Sequence, residues 1–202
     1  MTHELAGLHT RGLFPLPLLA RWSRCFLPLL PTAWSMHSPP PPWSRPGLPE
    51  RVADYPRPPA LERLERPVRI EVAGLLLAEA PWVWRVLETF HPPTIYLSPE
   101  AFRAELLRPA EGRSVCEWKG VARYFDVVGA GPTRQRALWC YDAPWEPYGA
   151  LAGCLAVYPG RVDACWLGGE RVQPQPGGFY GGWITSQVEG PFKGDPLHPE
   201  LI

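Results

Sequence analysis

Twenty-eight prolines spread along 202 residues set the tightest limit on what this chain can become. A proline lacks the backbone donor and clashes with the preceding helical turn, so long helices should be few and much of the chain must lie in turns and loops. The segments left between prolines are short. Several carry the two-residue period of a half-buried strand, most clearly Val68, Ile70 and Val72 alternating with Arg69 and Glu71.

Length and charge narrow the class further. A chain of 202 residues suits one domain with extensions, and 46% hydrophobic with 20% charged residues fits neither a charged disordered tail nor a membrane protein. Lys plus Arg balances Asp plus Glu, 20 against 20, so no global field draws nucleic acid or anionic lipid. A nucleic-acid or membrane partner is therefore not expected, and a small-molecule ligand is. Cys25, Cys116, Cys140, Cys154 and Cys165 are odd in number and contain no CxxC pair, which argues against a disulfide framework or a zinc knuckle. Reduced thiols in a cytoplasmic protein, with no metal and no cofactor, are the expectation.

The apolar run from Leu13 to Trp34 is interrupted by Arg21, Arg24 and four prolines, which disqualifies it as a spanning helix. Two readings of residues 1–35 stay open: an over-long start, with Met36 the true first residue, or a real disordered or targeting extension. Residues 36–66, with the run Pro39 to Pro42, read as a Pro-rich linker, within which Ala60 to Glu65 forms a short helix. The main domain is expected over 67–194, followed by a tail over 195–202.

Within that domain, strands are expected at Val68 to Val72, Leu75 to Ala78 and Thr94 to Leu97, while Trp82 to Thr89 fits strand or helix and is tilted to strand by Val83, Trp84 and Val86. Ser98-Pro99-Glu100 combines a capping hydroxyl, a first-turn proline and a carboxylate at the positive end, and so predicts one short helix over Pro99 to Leu107. Further strands follow at Ser114 to Trp118, Val121 to Val128, Ala137 to Tyr141, Cys154 to Tyr158, Val162 to Trp166 and Glu170 to Val172. Gly129-Ala130-Gly131-Pro132 and Gly168-Gly169 supply hairpin chemistry. Strands of this length and spacing predict a mainly β fold, a curled sheet or small barrel.

The run from Arg113 to Tyr124, containing Cys116-Glu117-Trp118-Lys119-Gly120, resembles the family catalogued as domain of unknown function 427. Four further blocks resemble that family in order: Arg85-Val86-Leu87-Glu88 before His91-Pro92-Pro93; Trp139 and Tyr141 before Pro144; Val157 to Asp163; and Pro174 to Thr185. The resemblance covers about residues 67 to 194 and implies a β fold similar to the Mss4-like, or β-tent, group. Members of that group hold zinc through CxxC pairs, which this sequence lacks. A nucleotidyltransferase-like label attached to the family finds no paired aspartates beside a Gly-Ser turn here.

Side chains alternate across a strand, so an unbroken Ser114 to Val128 puts Ser114, Cys116, Trp118, Ala122 and Tyr124 on one face, with Glu117, Lys119 and Arg123 on the other. Trp118, Tyr124, Trp139, Tyr141 and Tyr158 either fill a small core or line a pocket. Lys119 pairs with Glu117 at the surface or meets a ligand anion. Arg161 and Asp163 either supply polar groups to that pocket or form a hairpin salt bridge. Pro176 to Trp183 is expected to be an ordered strap laying Phe179, Tyr180 and Trp183 over the mouth. Cys116 reads as a small buried apolar residue or a nucleophile, and His91 as a turn residue or a general base. Three functions follow: a module that binds a small planar or aromatic metabolite, a metal-free enzyme using Cys116 or His91, or a protein-interaction scaffold.

Overall fold

The computed structural model describes residues 40–129 and 131–201, and both readings of residues 1–35 lie outside them. In chain order its strands are β1 (Glu50–Arg51), β2 (Ala60–Leu64), β3 (Val68–Val72), β4 (Leu75–Ala80), β5 (Val83–Leu87), β6 (Thr94–Leu97), β7 (Leu107–Cys116), β8 (Gly120–Val127), β9 (Arg134–Tyr141), β10 (Leu155–Val157), β11 (Ala164–Leu167), β12 (Glu170–Arg171), β13 (Gln173–Pro174), β14 (Trp183–Ile184) and β15 (Val188–Glu189). Between them lie only short 3₁₀ turns. The fold is mainly β, as the proline content and alternation require.

Seven strands form one sheet in the order β2-β5-β6-β10-β9-β8-β7, and four form a second in the order β12-β11-β3-β4. β1 pairs in parallel with β15, and β13 pairs with β14. Among the described residues no sheet closes on itself, so the barrel alternative is corrected to open sheets. Alternation explains the core. Val68, Ile70 and Val72 of β3 pack with Ile95 and Leu97 of β6, Leu138 and Cys140 of β9, and Leu155 and Val157 of β10, all buried between the two sheets. The other face of the seven-stranded sheet carries a separate cluster containing Tyr96, Tyr124, Trp139, Tyr141 and Ala156. That second face positions the candidate site.

The expected helix over Pro99–Leu107 is replaced by two single 3₁₀ turns, Pro99–Ala101 and Ala104–Leu106. Between them Phe102 is extended, bridges Ala78 and sinks into the core, while Arg103 N–H donates to Leu77 O at 2.9 Å. A helix of nine residues is marginal by itself, and burial of Phe102 against β4 outweighs a favourable cap. The helix expected at Ala60 to Glu65 is strand β2 instead, paired residue for residue with β5. Part of the expected linker is thus built into the large sheet.

This edge is fastened by charge. The Arg85 guanidinium donates two bonds to the carboxylate of Glu50, at 2.9 and 3.0 Å, and two to Glu62, at 3.0 and 2.7 Å. Tyr55 donates its hydroxyl to the same Glu50 at 2.7 Å. One half-buried arginine therefore ties β1, β2 and β5 together.

Candidate functional site

A row of cross-strand partners runs through six strands of the large sheet: Trp84, Tyr96, Ala156, Trp139, Tyr124 and Ala110, one from each of β5, β6, β10, β9, β8 and β7. Direct partners share a face. The small Ala156 separates Tyr96 from Trp139, whose rings meet nearly edge to face with centroids 6.1 Å apart. Tyr141 lies one pleat along β9 from Trp139, opposite Ala122.

Ser114 to Tyr124 is a hairpin and not a single strand. Cys116 pairs with Gly120 and Ser114 with Ala122, so even-numbered residues still face even-numbered ones. Ser114, Cys116, Ala122 and Tyr124 therefore share the aromatic face as expected, and the Ser114 and Tyr124 hydroxyls lie 2.7 Å apart. Residues 117–119 form the hairpin turn, where strand alternation has no force. Here the structure corrects the sequence: Lys119 is 6% exposed and does not pair with Glu117, which instead binds Arg57 at 2.5 Å. The Lys119 ammonium lies 5.7 Å from the centre of the Tyr148 ring.

A cavity of about 290 Å³ stands on this face. Its floor is Tyr96, Ala122, Tyr124, Trp139 and Tyr141, with Cys116 and Tyr158 beside them. Trp118 and Lys119 of the hairpin turn form one wall, and Glu88, His91 and Thr94 another, with Arg57 at the margin. The strap contributes Gln175, Phe179, Tyr180 and Gly181, and Lys193 completes the lining. His91, Cys116, Tyr124 and Trp139, far apart in sequence, thus face one space.

Three expected residues stand elsewhere. Trp183 is 1% exposed in the core between the sheets, where its indole N–H donates to Val157 O at 3.1 Å. Arg161 braces the cavity from behind, its guanidinium 4.1 Å from the Tyr158 ring centre and donating to Arg136 O at 2.8 Å. Asp163 accepts from the Ala73 N–H and pairs with Arg134 at 2.8 Å, so it holds the β3–β4 turn and takes no part in the cavity.

His91 is held by a fully determined amide. Gln175 Oε1 accepts from the Gly182 N–H, and Gln175 Nε2 donates to Lys193 O at 2.8 Å. The second Nε2 hydrogen therefore points to His91 Nδ1, 3.1 Å away, which must accept. Burial, followed by the charges of Lys193, Lys119 and Arg57, lowers the His91 pKa to about 4. The ring is neutral at physiological pH and carries its proton on Nε2, with Tyr180 against it edge on at 4.6 Å. Burial likewise raises the phenols of Tyr96 and Tyr141, and pushes Tyr158 up to about 12, so none ionises near neutrality.

Sequence reasoning missed Tyr96, Arg57, Glu88, Gln175 and Lys193. Tyr96 had a signal, since a strand over Thr94 to Leu97 puts its even positions on one face. Gln175 and Lys193 had none, because they reach the cavity through loops without period. Among the described residues no group of three His, Cys, Asp or Glu side chains is placed to hold a metal ion, and no helix is long and apolar enough to cross a membrane.

The model of the family described as Domain of unknown function (DUF427) matches residues 60–168. The chain belongs to this family. The DUF427 match opens at the first residue of β2 and closes at the β11–β12 turn, earlier at both ends than the 67–194 expected from residue blocks. It takes in the floor and both hairpin walls but stops short of the strap and Lys193. Comparison with curated proteins returns no match.

Proposed function

We propose that this DUF427 protein binds a small planar or aromatic metabolite in the cavity above the large sheet. One observation carries the reading: six rings distant in sequence, Trp118, Tyr124, Trp139, Tyr141, Tyr158 and Tyr180, line a single space of about 290 Å³. That volume lies at the lower end of ligand pockets, which suits one or two fused rings. Rings packed only for stability would fill their own space, whereas these leave a hollow above Ala122. Among the described residues the buried Trp118 Nε1 has no partner, and an indole N–H in that condition calls for an acceptor. A compound screen by thermal shift tests this. A planar ligand should raise the melting temperature of the wild type and not of Tyr158→Ala, and the reading is lost when no planar compound does so.

A metal-free enzyme is the second reading, favoured by Cys116 and His91 lining the same cavity. Against His91 as a base stands the Gln175 amide, which occupies its only unprotonated nitrogen. The imidazole is better suited to donate a hydrogen bond. An interaction scaffold has less support, since the exposed Val115, Val121 and Trp145 make a small patch. Kinship with the Mss4-like group and a cytoplasmic setting belong to the same proposal. Free thiols at Cys116, Cys140, Cys154 and Cys165 accord with a reducing compartment.

A further inference from the structure

The cavity has two unlike ends. Rings and Ala122 make up much of its surface, but four of its polar groups, on Lys119, Lys193, Trp118 and His91, can only donate. Lys119, though 6% exposed, forms no ion pair or hydrogen bond with its side chain among the described residues. The Lys193 ammonium lies 5.6 Å from the Tyr180 ring centre and also lacks an ion pair there. Trp118 Nε1–H is buried and unsatisfied, and His91 offers an Nε2–H because Gln175 fixes its other nitrogen as the acceptor.

Charge points the same way. Arg57 is committed to Glu117. Among the described residues Glu88 is the one lining carboxylate without an ion pair, so two ammonium groups face one carboxylate and a single positive charge is left over. Neither ammonium has a paired counter-charge among the described residues, and a ligand anion in the cavity both line would supply one.

We infer that the cavity selects planar aromatic monoanions, the ring lying on Trp139, Tyr124 and Tyr158 and the acid group meeting Lys119, Lys193, Trp118 Nε1–H and His91 Nε2–H. This rests on the reading of the cavity as an aromatic ligand site. After burial, the charges of Lys193 and Lys119 both contribute to the depressed pKa of His91, so both act on the same place. A charge-assisted hydrogen bond is about twice as strong as a neutral one, so exchanging the acid for an amide of the same shape should weaken binding about tenfold or more.

The experiment titrates the full chain with 2-naphthoate, 2-naphthamide and acetate by calorimetry and by quenching of tryptophan fluorescence. The expected order is naphthoate tightest, naphthamide weaker by about tenfold or more, and acetate without measurable binding. Lys119→Met should remove most of the advantage of naphthoate, weakening naphthoate far more than naphthamide. Glu88→Gln should widen that advantage. Equal binding of naphthoate and naphthamide by the wild type overturns anion selection and leaves the aromatic site standing. Failure of both ring compounds to bind removes the aromatic site itself. Acetate binding as tightly as naphthoate overturns the role given to the rings. The wild-type comparison decides the matter even where Lys119→Met does not fold.

Discussion

Trp139 and Gly181 occupy neighbouring space so closely that a Cβ on Gly181 would overlap Cη2 of the indole and stand 2.7 Å from Cζ3. The strap crosses the sheet at this point only because residue 181 has no side chain. Gly182 meets a similar limit, since its Cβ would lie 2.8 Å from Pro92 O. The two glycines let the strap lie flat over the rings and bring Tyr180 against His91.

Gly181→Ala should therefore lift the strap or tilt the Trp139 ring. The expected cost is about 1–3 kcal/mol, the range for overpacking a filled space. Urea denaturation measures it. Ligand-induced thermal stabilisation should disappear at the same time, and a variant as stable as wild type with normal binding contradicts the close contact.

His91 predicts a pH dependence with a definite sign. Its pKa is depressed in the folded protein, to about 4 from an ordinary 6.5, so between those values the unfolded chain binds a proton that the folded one does not. Its contribution is full above pH 6.5 and is lost as pH falls towards 4. The size is about 2–3 kcal/mol. His91→Gln should flatten the rise of the urea midpoint between pH 4.5 and 7, whereas an unchanged slope would mean that the ring titrates normally.

Cys116 is half-buried and lines the cavity, whereas Cys140, Cys154 and Cys165 are buried, and burial raises all three of those thiols. Iodoacetamide should label Cys116 first among the four, as read by peptide mass mapping. A bound planar ligand should slow that labelling. Cys116→Ser that retains ligand binding supports a lining role, and fast labelling near neutral pH would favour the enzyme reading instead.

Arg85→Met should destabilise the chain by about 2–4 kcal/mol, since Glu50 and Glu62 would share a half-buried site without their cation. Arg85→Lys should recover only part of the loss, because an ammonium does not reproduce the paired bonds of the guanidinium. Chemical denaturation of both variants gives the comparison. A neutral result for Arg85→Met would show that the β1 and β2 edge is held by packing alone.

Strand β6 was legible as a short apolar run after Pro92-Pro93, buried on both faces, and β3 because a half-buried strand imposes strict alternation, which Val68 to Val72 displays. The aromatic face of the β7–β8 hairpin was legible for the same reason, and survived the turn because Cys116 pairs with Gly120 and parity is kept. The short helix was misread at Phe102, where the local cap signal was sound but the partner strand lay 24 residues upstream at Ala78. Lys119 was misread because alternation was carried through a turn, where no ladder enforces it.

The sequence by itself determined that this chain would be built from short strands, and that rings would collect on one side of them, because proline placement and two-residue alternation are local properties of the backbone. Only the tertiary structure decided that Lys119, His91, Gln175 and Lys193 meet above those rings. Their meeting depends on strand order, hairpin register and the path of a glycine strap, and each of these is set by contacts between residues far apart in the chain.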